Sequence, residues 1–149
     1  MEIVNLKRVP FRDLTVIIGS CGVGILELNN TLRMEMQGEL TMIRCASLSN
    51  LHPKEQVETV ARYVEMTKGI GRPIVLLTVS PFVLQAVRYY AAKEGVESNV
   101  QYLEAIADKS SNAVTLRVVS EDLNRVFKDM AEPLDAIMNV DAIREGVQL

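Results

Sequence analysis

A three-layer α/β domain with a parallel core sheet and a C-terminal antiparallel hairpin is the fold class this sequence predicts. Three observations carry it. Strongly apolar runs at residues 14–18 and 74–79, each with a single threonine, have the pattern of strands covered on both faces. Segments with helical spacing lie between such runs. Near the C terminus, strand-like runs at 100–106 and 113–119 are joined through Asp108-Lys109-Ser110-Ser111-Asn112, which suits a hairpin.

Taken in order, the elements are β-β-α-β-α-β-α-β-β-α. Residues 3–9 read as an edge strand stopped by Pro10. Residues 14–18 form the first core strand, and residues 25–36 a helix with apolar positions at 25, 26, 28, 32, 34 and 36. A short strand follows at 40–45. Pro53 suits the first position of a helix running to about Lys68, stopped by Gly69 and Gly71. The strand at 74–79 is the most apolar. Ser80 caps and Pro81 opens a helix to about Glu94, ended by Gly95. After the hairpin, Ser120 caps a last helix, interrupted at Pro133. Right-handed crossovers place the strand at 14–18 centrally and parallel to 74–79, with 40–45 on its far side. Residues 1–149 read as a single domain, with no internal repeat, low-complexity tract or linker.

Composition excludes several function classes. A hydrophobic content of 48% with only 5% aromatic residues describes an aliphatic α/β interior. Net charge is −3, and apart from Lys7, Arg8 and Arg12 the positive charges are dispersed, so no basic face for nucleic acid is expected. No apolar run approaches the ~20 residues that span a bilayer, and Glu2, Asn5, Lys7 and Arg8 break any leader-like stretch. Two cysteines make no disulfide scaffold and fit a reducing cytoplasm.

One turn carries recognisable chemistry. Gly19-Ser20-Cys21-Gly22-Val23-Gly24-Ile25-Leu26 has its glycines placed as in G-x-x-x-x-G-K-[ST], between an apolar strand and a helix. Ile25 stands at the lysine position and Leu26 at the Mg²⁺-binding hydroxyl position. Neither side chain can neutralise phosphate or hold a metal. The residual anion site is the turn itself: Gly19, Ser20, Cys21, Gly22, Val23 and Gly24, whose backbone N–H groups and helix dipole contribute about 1 kcal/mol. Expected affinity for ATP is therefore millimolar or weaker. The plainer reading of the glycines is a tight strand-to-helix turn.

Further motifs resemble one family. Leu51-His52-Pro53-x-x-Gln56 and Leu77-Thr78-Val79-Ser80-Pro81-Phe82-Val83-Leu84 are similar to the D-E-P-E-x-x-L-H-P-x-x-Q and T-H-S-P-x-x-L patterns of ABC-type ATPases of the RecF, SMC and OLD kind. Residues 11–19 resemble that family's entry into its phosphate loop, and the hairpin followed by residues 126–135 resembles its tail. The resemblance implies a P-loop NTPase-like fold with degenerate Walker A, Walker B and H-loop motifs. By it, Cys45 and Ala46 stand at the metal-binding aspartate and catalytic glutamate, and Val79 at the histidine that senses the γ-phosphate. The short stretch between Leu26 and Leu40 leaves no room for the helical signature subdomain, and no L-S-G-G-Q-like string is present. Relatives work as head-to-tail dimers that bury the loop rim.

The expectation is a pseudo-ATPase with no catalytic residues, no metal and no cofactor. It would act as a binding, regulatory or decoy subunit toward a protein partner or a second copy. The alternatives are a divergent ATP/Mg²⁺-binding protein or weak ATPase using the glycine turn, and a structural subunit of a larger assembly. The rim at Ile25, Leu26, Ala46 and Val79 should be collapsed internally or used in an interface. His52, the only histidine, should help start a helix rather than bind zinc. Cys21 and Cys45 read as small, buried and unpaired, and Met34, Met36, Met42 and Met66 as core filling. Of Tyr89 and Tyr90, one ring should pack and the other face solvent. Ser20, Ser47 and Ser80 have no His-Asp partners for nucleophilic catalysis.

Overall fold

A computed structural model of the protein describes residues 1–69 and 71–146, with the side chains of all of these except 44–47 and 142. Leu14, Thr15, Val16, Ile17 and Ile18 are all buried, as are all five residues of Ile74–Thr78. Only a strand sandwiched between two layers buries both of its faces in this way. These are β2 (Leu14–Gly19) and β4 (Ile74–Thr78), paired in parallel from Leu14↔Ile74 to Ile18↔Thr78. With β1 (Glu2–Ile3), β3 (Thr41–Arg44), β5 (Val100–Ala107) and β6 (Ala113–Val118) they form a six-stranded sheet in the order β1-β6-β5-β2-β4-β3. All neighbours are parallel except the β5–β6 hairpin. The fold class is thus mixed α/β with a mostly parallel sheet, β2 at its centre.

The helices are α1 (Ile25–Glu35), α2 (Pro53–Met66), α3 (Pro81–Lys93), α4 (Leu123–Ile137) and a short α5 (Val140–Arg144). Leu28 and Leu32 of α1 pack with Ile17, Val75 and Leu77 on one face of the sheet. Val60 and Val64 of α2, Leu84 and Val87 of α3 and Val126 of α4 pack with Leu14, Val16, Ile18 and Leu76 on the other. The crossover from β2 to β3 runs one way along the sheet, and those from β3 to β4 and β4 to β5 run back. One hand of crossover in opposite directions requires helices on opposite faces, as observed.

Local signals account for the starts of α2 and α3. His52 is the N-cap of α2, its Nδ1 accepting from Lys54 N–H at 3.1 Å, with Pro53 next. Ser80 caps α3, its Oγ accepting from Val83 N–H at 3.3 Å, with Pro81 next. Tyr90 packs against the core while Tyr89 is exposed, the two rings edge-to-face at 5.0 Å.

Five sequence expectations are corrected. The strand predicted at 3–9 is only two residues of β1, followed by a 3₁₀ turn at Leu6–Arg8. Asn5 replaces the missing ladder: its Nδ2 donates to Leu116 O at 2.7 Å and its Oδ1 accepts from Leu116 N–H at 2.9 Å. A side-chain amide here imitates a strand partner along the edge of β6. Asn5→Ala should lower unfolding free energy by about 1–3 kcal/mol, because it leaves two part-buried backbone groups without partners. Denaturant titration checks this, and an unchanged midpoint would contradict it.

The strand at 40–45 was expected beyond β2, on the flank away from β4. β5 occupies that flank, and β3 lies beyond β4. Ser120 does not cap the last helix, because its Oγ accepts from Tyr102 N–H at 3.1 Å instead. Asp122 takes the N-cap position with no capping hydrogen bond. Nor does Pro133 interrupt α4, which continues to Ile137, since the segment is exposed and the carbonyl left without its donor can face water. Finally, Met34 and Met66 are surface residues, 73% and 40% exposed, and Met36 and Met42 are half-buried.

Candidate functional site

β2 and β4 are neighbours, yet the helices that follow them leave to opposite faces. That divergence opens a crevice at the carboxyl ends of the two strands, where open α/β sheets commonly bind ligands. The glycine turn and the 78–81 corner meet there.

The turn is held as a packed corner. Ser20 donates twice to Ala105 O, from N–H at 3.0 Å and from Oγ at 2.7 Å. Val23 N–H donates to Ser20 O at 3.1 Å and closes a turn through Gly22, whose φ of +91° disfavours any L side chain. Val23 and Ile25 are buried in the α1-side core. A Cβ placed on Gly19 would stand 2.8 Å from Ile25 Cδ1 and 3.1 Å from Val79 Cγ1, so Ile25 packs directly over Gly19. Gly24 is the N-cap of α1 with no side-chain capping bond, and a Cβ there would meet nothing closer than 3.8 Å. Packing and backbone conformation thus account for Gly19 and Gly22, while Gly24 is conformationally replaceable.

The 78–81 corner is likewise self-satisfied. Ser80 N–H donates to Thr78 Oγ1 at 3.0 Å while Ser80 Oγ caps α3. Val79 between them is 52% exposed, as is Leu26 at 59% and Phe82 at 43%. The expected rim therefore divides: Ile25 is collapsed into the core, and Leu26 and Val79 face solvent. Cys21 is free and exposed, not buried as expected, because the turn projects it past the end of the sheet. The side chains of Cys45 and Ala46, the positions read as lost metal and catalytic carboxylates, and of Ser47 lie outside the described residues.

A cavity of about 360 Å³ adjoins the turn on the α4 side, bordered by Ser20, Cys21, Val79, Glu104, Arg125 and Asp129. Glu104 of β5 is buried and faces two guanidiniums: Arg117 Nη2 at 3.2 Å from Oε1 and Arg125 Nη2 at 3.5 Å from Oε2. Arg125 also bonds Asp122 at 2.6 Å and Asp129 at 3.0 Å. The Asp122 bond above all holds its guanidinium pKa above the ordinary value. Three carboxylates against two guanidiniums leave this cluster one negative charge in excess. Arg125 is thus already paired with three carboxylates, although its buried Nη2 makes no hydrogen bond, and a triphosphate would meet the negative excess. Sequence reading missed this cluster. Its signals were a carboxylate inside the apolar run 100–106 and acidic residues three before and four after Arg125. Among the described residues, no group of three or more His, Cys, Asp or Glu side chains could hold a metal ion. No described helix is long and apolar enough to cross a membrane.

Fold and site together define an α/β protein with a tightly packed glycine turn at the carboxyl end of its central strand. No protein family, curated protein or solved structure matches the chain.

Proposed function

We propose that this protein is a catalytically inactive relative of the ABC-type P-loop ATPases that works by binding another protein. It would serve as a cytoplasmic regulatory or decoy subunit, with no resident cofactor. The observation that carries the reading is the state of the carboxyl edge. Ile25 is packed over Gly19, while Leu26, Val79 and Phe82 stand exposed on the edge where a nucleotide-binding relative would hold polar groups. Exposed large apolar side chains gathered on one edge favour a protein contact over a solvated catalytic site. The acidic excess beside the turn also argues against phosphate.

A residual nucleotide or anion site is the second reading. One observation favours it: α1 begins at Gly24 with no side-chain cap, so its first N–H groups are free to meet an external acceptor.

One experiment separates the two. With ATP and Mg²⁺ at millimolar concentration, the purified protein should release no phosphate above buffer and show no thermal shift. A clear shift that disappears in Gly24→Val would establish the second reading. Gly24 is the right position because its φ of −77° accepts a side chain, whereas Gly22→Val would strain the turn whatever the ligand.

A further inference from the structure

A second cavity, of about 530 Å³, lies between α3 and α4 near the start of β5. Its size is within the range of small-molecule sites. Three features set it apart from a casual surface cleft.

First, Tyr102 forms part of its wall and is only 7% exposed. Its phenol has no hydrogen-bond partner among the described residues, yet its oxygen is not sealed off, and Tyr102 lines this cavity. Buried hydroxyls normally find partners. Burial also pushes this phenol up to about 12, so at neutral pH it is a donor.

Second, Arg88 lines the cavity and is fixed by two neutral oxygens, Gln85 Oε1 at 3.4 Å and Asn124 Oδ1 at 3.3 Å. Among the described residues it has no carboxylate partner, in contrast with Arg117 and Arg125. Its position is set while its charge is left uncompensated.

Third, Glu97 and Glu121 border the same cavity and are exposed, and the exposed ring of Tyr89 adds an apolar wall. A simple anion would be attracted by Arg88 and repelled by two carboxylates. A simple cation would meet the reverse. A molecule carrying both charges meets a partner for each.

We propose that this cavity binds a small zwitterion of the α-amino-acid class. The carboxylate is held by Arg88 and the Tyr102 hydroxyl, and the ammonium by Glu97 or Glu121. The side chain lies along Tyr89. This site is separate from the glycine turn and stands or falls independently of the pseudo-ATPase reading.

The test is an amide-resolved NMR titration with the twenty standard L-amino acids, one at a time, to about 10 mM. At least one should shift the amides of Ala92, Val100 and Asn124 saturably. Its N-acetyl and its carboxamide derivatives, each lacking one charge, should bind roughly tenfold more weakly or worse. Arg88→Gln and Tyr102→Phe should each weaken binding by a similar factor. The thermal midpoint of Tyr102→Phe should be unchanged or raised, because the lost hydroxyl has no internal partner. The proposal is overturned if no amino acid gives a saturable shift at these amides. It is equally overturned if either blocked derivative binds as well as the parent ligand, or if Tyr102→Phe binds unchanged. A lowered midpoint in Tyr102→Phe would reveal an internal partner for the phenol and also overturn it.

Discussion

Ile25→Glu should unfold the protein or nearly so, and Leu26→Glu, one residue further on, should leave it folded. Ile25 is 8% exposed, with its Cδ1 in the space a Gly19 side chain would need. Replacing it forfeits about 1.5–3 kcal/mol of apolar burial and places a carboxylate in the apolar α1-side core. A total on the order of 5 kcal/mol is comparable with the whole stability of a domain of this size. Leu26 is 59% exposed in the first turn of α1. A glutamate there changes stability by no more than about 0.5–1 kcal/mol, and the helix dipole favours it. Denaturant curves of the two variants measure the contrast. The second variant also tests the proposed function. If the rim is an interface, Leu26→Glu should remain folded and lose its partner, or its self-association in light scattering. A folded Leu26→Glu that associates like the parent would remove the physical basis of the binding-subunit reading.

The second large effect lies at high pH. Burial raises the Tyr102 phenol to about 12, from 10.0 for an unperturbed tyrosine. Below pH 10 the phenol is neutral in both the folded and the unfolded chain, so its environment costs nothing. Between about pH 10 and 12 the unfolded chain releases the proton and the folded chain does not, which favours unfolding. Stability should therefore be complete below about pH 10 and fall on the order of 2–3 kcal/mol as pH rises toward 12. Other groups titrate there too, so the informative quantity is the difference between the parent and Tyr102→Phe. The variant should lack this part of the decline. Parallel stability profiles from about pH 9 to 12 would show that the phenol is solvated in the folded protein.

The elements readable in advance were those whose cause is local. Residues 14–18 and 74–78 are apolar except for Thr15 and Thr78, and buried at every position, because both faces of each strand are covered. α2 and α3 announce themselves because a capping side chain and a proline sit together at each start. The N-terminal segment misled because its alternation resembles a strand, whereas one asparagine side chain makes the contact that several backbone groups would have made. Ser120 misled for the converse reason: a residue suited to capping was taken by a strand 18 positions away. The glycine turn was legible as a turn. That Ile25 packs over Gly19 was not, because Val79, which closes the same corner, comes from the loop after another strand.

The sequence by itself determined the alternation of strands and helices, the terminal hairpin, the turn at 19–24 and the absence of a lysine and a hydroxyl where phosphate chemistry would need them. These rest on periodicity, turn residues and side-chain type, which act within a few positions along the chain. Only the tertiary structure decided the strand order, the division of the rim into buried Ile25 and exposed Leu26 and Val79, and the convergence of Glu104, Arg117 and Arg125. A right-handed crossover obeys the same rule whether it skips a neighbour or not. Which strand lies beside which is settled by the apolar faces that fit across the sheet, and those contacts join residues far apart in the chain.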